Sequence, residues 1–93
     1  RPKGANQRVI ANAFKQLRGE GVGASNPAGA GWPEAGKFWC IPENRLREFA
    51  TGKFSAKNPS SSYGNAMKGL LAMDYMAQNE GMVWITAKEG RAT

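Results

Sequence analysis

The hydrophobic period changes once within residues 59–86, and this change limits the folds open to the chain. Across residues 63–73 the apolar side chains recur at helical spacing, which predicts a helix with one buried face. The predicted buried face comprises Tyr63, Ala66, Met67, Leu70 and Met73. The opposite face carries small, polar and basic residues, so the chain has to bury one side of this helix and leave the other side open.

The period after this helix is that of strands. Residues 75–78 and 82–86 are β-compatible, and the short connection between them ends in Gly81. Two such runs around a tight turn predict a β-hairpin. The alternative is a longer third helix that continues through Gln78, because residues 72–78 include good helix formers.

Earlier segments supply the remaining elements. Residues 6–18 repeat apolar side chains at helical spacing and are followed by a glycine, which predicts the first helix. Residues 37–41 read as a short strand, and Pro42 opens a second helix that runs to about residue 51. A turn over residues 53–58 then leads to the third helix, with Asn58 or a following serine as its N-cap.

The chain is predicted to form one domain with an unusually long connection. The domain spans residues 6–87, and residues 1–5 and 88–93 are expected to be flexible flanks. Residues 19–36 are rich in Gly, Ala and Pro and show neither a helical nor a strand period, so we expect a long, mobile loop. Trp32 is expected to hold the second half of this loop against the core.

These elements predict an α+β fold of the winged helix-turn-helix type. Helices two and three, joined by a short turn, form the helix-turn-helix pair, and the hairpin is the wing. The strand at residues 37–41 can add to the hairpin, giving a small three-stranded antiparallel sheet. The sequence begins with Arg1 rather than Met, so we expect a fragment of a larger protein.

The composition excludes several kinds of chemistry. The chain contains a single cysteine, Cys40, and no histidine, so it offers no ligand set for structural zinc and no Ser-His-Asp arrangement. Residues 31–38 read G-x-x-x-x-G-K-F, but a phosphate-binding loop needs Ser or Thr after the Lys. We therefore expect no cofactor, no metal and no catalytic residue. Cys40 lies in an apolar run and is expected to be a buried thiol in a cytoplasmic protein.

The charge indicates a polyanionic partner. Thirteen Lys and Arg residues against seven Asp and Glu residues give a net charge of +6 in 93 residues. A phosphate backbone is the commonest partner for such a surface, although solubility alone is the alternative explanation. No run of residues is long and apolar enough to span a membrane.

The candidate nucleic-acid contacts lie on helix three, around the turn before it and after the wing. Asn65 has the geometry to bond adenine, and Lys68 to bond guanine or a phosphate. Basic residues of helix two and the turn usually contact the backbone, and the helix start favours phosphate. The full candidate set is Arg45, Arg47, Lys53, Lys57, Ser60, Ser61, Ser62, Asn65, Lys68, Lys88 and Arg91.

Three segments together resemble a winged helix. Residues 63–85 resemble a recognition helix, its exit turn and a closing hairpin, while residues 6–8 and 38–49 resemble the first half of that module. The pattern is similar to the C-terminal accessory domain of plasmid and phage replication helicases of the RepA type, and to similar domains of mobile-element relaxases. Asp74 stands where many winged helices have glycine, so the sequence does not fix the residue at which the third helix ends.

The resemblance implies a DNA-binding accessory domain that is not an enzyme. Duplex DNA, contacted through helix three and the wing, is the expected partner, and the remainder of the parent protein is a further one. Two alternatives stay open. One is a protein-interaction or oligomerisation module without DNA binding, and the other is a single-strand binder that stacks bases on Trp39 and Trp84.

Overall fold

The computed structural model describes residues 1–92 and shows an α+β fold with three helices and a four-stranded antiparallel sheet. The strands are ordered β1-β2-β4-β3, so the edge strands are β1 and β3. The elements are α1 (Gly4–Gly19), β1 (Ala24–Ser25), β2 (Trp39–Pro42), α2 (Glu43–Thr51), α3 (Pro59–Ala72), β3 (Met76–Asn79), β4 (Met82–Ile85) and a 3₁₀ turn (Lys88–Gly90). The predicted α+β class is confirmed, with one strand more than expected.

Helix α1 buries three large apolar side chains in the core. Ile10, Phe14 and Leu17 are almost fully buried, as their helical spacing predicts. The helix begins at Gly4, two residues before the predicted start, so it includes part of the segment predicted to be a flexible flank. The side chain of Gln7 accepts a hydrogen bond from the backbone N–H of Lys3 at 2.7 Å, which satisfies one N–H at this end.

Helix α3 begins and ends at identifiable residues. The Asn58 side chain accepts a hydrogen bond from the backbone N–H of Ser61 at 3.3 Å, and Pro59 occupies the first turn. Asp74 takes a left-handed conformation with φ 59°, the conformation for which glycine is usual, and the helix ends at Ala72. The alternative of a helix through Gln78 is wrong, because that residue lies in β3.

The β-hairpin is closed by a two-residue turn. Glu80 and Gly81 both have positive φ, 50° and 79°, and Asn79 pairs with Met82. Positive φ at both central residues matches the twist of the adjoining strands. The predicted hairpin is therefore confirmed.

The Gly-rich segment contains a strand that the sequence analysis missed. Ala24 pairs with Cys40 and Ser25 pairs with Trp39, which adds β1 to the sheet. The expectation that residues 19–36 form only an irregular loop is wrong in this respect. Two residues are too short to show a strand period, and their partner lies elsewhere in the sequence.

A buried amide organises the rest of this segment. Asn26 is 3% exposed, and its Nδ2 donates to the carbonyl oxygens of Pro27, Pro33 and Glu34 at 2.8–3.1 Å. Its Oδ1 accepts from the backbone N–H of Phe38 at 2.9 Å. All the polar atoms of the side chain are thereby paired, as burial requires.

Trp32 holds the second half of the segment on the hairpin, as predicted. Its ring lies 5.3 Å from the ring of Trp84, and its Nε1 donates to Glu80 at 3.2 Å. The side chain of Asn79 donates to the carbonyl of Ala30 at 3.1 Å. The segment therefore covers one face of the sheet, while the helices pack on the other.

The fold continues beyond residue 87, where the sequence analysis placed the end of the domain. Gly90 is buried, Arg91 pairs with Phe38, and the backbone N–H of Ala92 donates to the carbonyl of Lys37 at 2.8 Å. Residues 88–92 thus lie against the start of β2, and Thr93, the last residue of the predicted flank, is outside the described residues. Within residues 1–92, no helix has the length and apolar character needed to cross a membrane.

Candidate nucleic-acid interface

The outer side of α3 is open and lacks carboxylates. Ser60, Ser61, Asn65 and Lys68 are exposed, as is Gly64 between them, and no residue of α3 is acidic. The opposite side packs into the core through Tyr63, Ala66, Met67 and Leu70. We call the exposed set Ser60, Ser61, Gly64, Asn65 and Lys68 the open face of α3.

Two of the three serine amides in the first turn of α3 are already hydrogen-bonded. The backbone N–H groups of Ser61 and Ser62 donate to the side chain and the carbonyl of Asn58. Phosphate binding was expected at the amides of residues 60–62. The donors that remain for it are the Ser60 N–H and the serine hydroxyls.

A groove of about 440 Å³ separates the open face from α2, and Arg47 and Lys68 both line it together with Ser60. Glu43 lies in the same groove, where it pairs with Arg47 at 3.2 Å and accepts from the Tyr63 hydroxyl at 3.0 Å. The pKa of Tyr63 is raised by burial and by the Glu43 carboxylate. Glu43 partly neutralises Arg47, whereas Lys68 has no ion-pair partner among residues 1–92.

A second groove, of about 510 Å³, lies between α3 and the start of α1, and Asn65, Ser62 and Lys3 line it. The helices approach closely here: a Cβ at Gly69 would lie 2.4 Å from Nε2 of Gln7. Lys3 was not among the predicted contacts, because no local pattern shows that the start of α1 lies beside α3. The structure thus places one further cation, Lys3, beside the open face of α3.

Two of the other candidates line a different groove. Arg45 and Lys53 line a groove between α1 and α2 that also contains Glu20 and Glu48, and Lys53 lies 4.7 Å from the ring centroid of Phe49. Lys57 is exposed in the connection before α3. Of the predicted contacts of α2 and the turn, Arg47 therefore lines a groove with α3, whereas Arg45 and Lys53 line the groove between α1 and α2.

Lys88 and Arg91 belong to the C-terminal segment beside β2 rather than to the tip of the hairpin. The tip itself carries a carboxylate, Glu80, which bonds Trp32. The predicted basic residues after the wing are thus exposed, but they lie away from the tip of the hairpin. Arg18 contacts this segment by donating to the carbonyl of Glu89 at 3.3 Å.

The tryptophans that a single-strand binder would use are covered. Trp84 is 5% exposed, and Trp39 is partly buried with its Nε1 donating to the carbonyl of Val22 at 2.8 Å. Among residues 1–92 no large hydrophobic side chain is exposed. Base stacking needs an accessible aromatic face, and neither Trp39 nor Trp84 is exposed.

Cys40 is buried, as predicted, and burial raises the pKa of its thiol to about 11. The thiol therefore stays protonated at neutral pH, which makes it a poor nucleophile. Over the described residues, no three His, Cys, Asp or Glu side chains meet in a group that would hold a metal ion.

Comparison of the chain with protein-family models, with curated proteins and with solved structures finds no significant match.

Proposed function

We propose that the chain is a winged-helix module that binds duplex DNA through the open face of α3 and serves as a non-catalytic accessory domain of a larger cytoplasmic replication or mobile-element protein. The observation that carries the proposal is the acid-free, exposed face of a helix whose other side is buried. The order of α1, β2, α2, α3 and the β3–β4 hairpin, with β4 between β2 and β3, supports the winged-helix assignment.

The open face suits a duplex for steric and chemical reasons. Ser60, Ser61 and Gly64 are small, so a DNA backbone or groove edge approaches the helix without obstruction. Asn65 supplies a bidentate partner for adenine, and Lys68 supplies an unpaired charge for a guanine or a phosphate. Lys3 and Arg47 stand in the grooves on either side of α3, where they add phosphate contacts.

Duplex DNA is favoured over a single strand because Trp84 is buried and Trp39 is partly buried. Sequence-tolerant single-strand binding relies on bases stacking on aromatic side chains. Trp84 is covered by Trp32, and Trp39 is covered in part by Arg18, whose guanidinium lies 5.5 Å from the ring centroid. The open face of α3 carries hydrogen-bonding and charged side chains, which suit the grooves and backbone of a duplex rather than stacked bases.

The test is a titration of the ¹⁵N-labelled chain with a short duplex at low salt. We expect amide shifts at residues 60–68, an affinity on the order of micromolar or weaker, and a steep loss of binding as salt rises. The double variant Asn65→Ala/Lys68→Ala should weaken binding and reduce the salt slope by about one. The control Arg45→Ala removes one charge from the separate α1–α2 groove and should leave the shifts at α3 in place.

Three results would count against the proposal. If duplex DNA shifts no α3 amide at low salt, the open face does not bind DNA and the protein-interaction alternative takes its place. A preference for single strands with quenching of tryptophan fluorescence would favour the stacking alternative. Equal losses in the α3 variant and in the Arg45→Ala control would mean that net charge alone drives binding.

A further inference from the structure

The side of α1 that faces the C-terminal segment holds a concave basic site outside the surfaces described above. A cavity of about 510 Å³ there is lined by three cations, Arg1, Arg8 and Lys15, and by the amide side chain of Asn12. The three cations are exposed. No residue of this lining also lines either groove beside α3, so the two surfaces are separate.

Glu89, the one carboxylate that residues 1–92 contribute to the lining, is already engaged. Glu89 pairs with Lys15 at 3.3 Å and accepts a short hydrogen bond from the Tyr75 hydroxyl. The Tyr75 hydroxyl and, less strongly, Lys15 hold the pKa of the Glu89 carboxyl below its ordinary value. The carboxylate therefore neutralises one of the three cations, and Arg1 and Arg8 have no ion-pair partner among residues 1–92.

Two further cations are close in sequence to Glu89, which lines the cavity. Lys88 precedes Glu89 in the 3₁₀ turn, and Arg91 follows it; both are exposed. Arg18, one turn beyond Lys15 on α1, donates to the carbonyl of Glu89. Cations thus lie along one side of α1 and at two positions of the C-terminal segment that contacts it through Glu89. We define the α1–tail band as Arg1, Arg8, Lys15, Lys88 and Arg91.

We propose that the α1–tail band is a second binding surface for a nucleic-acid backbone. Arg8 and Lys15 are seven residues apart, which places them about 10 Å apart along the helix axis. Cations spaced in a row match the repeated charges of a polymer better than the compact charge of a small anion. This inference does not require the open face of α3 to bind, so each surface can fail on its own.

Two bound segments should be visible as two groups of shifted amides. In a titration with a 12-base-pair duplex at low salt, we expect shifts at residues 8–15 and 87–91 in addition to those at residues 60–68. Arg8→Gln/Arg91→Gln should abolish the first group, keep the α3 group, and weaken duplex binding by roughly fivefold. Arg45→Gln/Lys53→Gln removes the same charge from the α1–α2 groove and is the matched control.

A gain-of-function variant separates binding from folding defects. Glu89→Gln removes the one carboxylate of the cavity and releases Lys15, so it should tighten duplex binding at the band by roughly twofold or more. Thermal unfolding of each variant establishes that the chain remains folded at the temperature of the titration. Weaker binding by a folded Glu89→Gln variant would contradict the proposal.

Other results of the titration would support or overturn the second binding surface. Absence of shifts at residues 8–15 and 87–91, or equal losses in the Arg8→Gln/Arg91→Gln variant and its control, would overturn the second surface. If poly-glutamate shifts the amides of residues 8–15 and 87–91 but duplex DNA does not, the partner of the band is an acidic protein segment rather than a nucleic acid, and the proposal is overturned. Shifts at the band without shifts at α3 would support this inference while the proposed function fails.

Discussion

The ring of Trp32, in the Gly-rich segment, lies 5.3 Å from the ring of Trp84 in β4 at an interplanar angle of 30°. This contact joins the longest irregular stretch of the chain to the centre of the sheet. Trp84 is 5% exposed, and Trp32 is one of the side chains that cover it. The segment is consequently part of the fold, although its composition is that of a loop.

Trp32→Ala tests how much this contact stabilises the fold. The variant removes an aromatic pair and the hydrogen bond to Glu80, and it should lower the free energy of unfolding by about 2 kcal/mol. Urea unfolding followed by circular dichroism measures the change. Trp32→Phe keeps an aromatic ring and should recover about half of the loss, whereas equal losses in both variants would mean that the hydrogen bond dominates.

Asn26→Ala should destabilise the chain by about 2–3 kcal/mol, because three carbonyls and one backbone N–H lose their buried partner. Asn26→Asp should cost more, since carboxylate oxygens would face the same carbonyl oxygens. Unfolding in urea gives both values. If Asn26→Asp is as stable as the natural chain, the amide is not the organising group of residues 26–36.

Substitution of two glycines by alanine should change the stability of the fold in opposite directions. A Cβ at Gly90 would lie 1.8 Å from the carbonyl oxygen of Ile85, so Gly90→Ala should cost more than about 3 kcal/mol. A Cβ at Gly64 meets nothing within 4 Å, and Gly64→Ala should stabilise α3 by up to about 1 kcal/mol. Thermal unfolding of the pair checks both signs, and a tolerated Gly90→Ala would show that residues 88–92 do not pack as described.

The Glu89 carboxylate should make stability depend on pH. Because its folded-state pKa is lowered below the ordinary 4.5, it stabilises the fold above that value, and this contribution is lost as the pH falls through the lowered pKa. The difference in unfolding free energy between the natural chain and Glu89→Gln should therefore be constant near neutral pH and shrink below about pH 4.5. A difference that is unchanged at pH 3 would contradict the ion pair with Lys15 and the bond from Tyr75.

Local sequence patterns determined the helices and the hairpin. The apolar spacing of α1 and α3 reflects one buried face per helix, and the Glu80-Gly81 turn joins strands that are adjacent in the sequence. The exposure of Ser61, Asn65 and Lys68 follows from the same helical period. These features depend on residues within a few positions of one another, so one sequence is enough to predict them.

Only the tertiary structure decided where the distant segments meet. It placed β1 on β2, Lys3 beside Asn65, Arg47 of α2 in a groove with α3, and the C-terminal segment against α1. It also separated Arg45 and Lys53 from the open face and created the basic cavity around Arg8 and Lys15. Contacts between residues far apart in sequence leave no local period, because they are selected by the packing of the whole core rather than by neighbouring side chains.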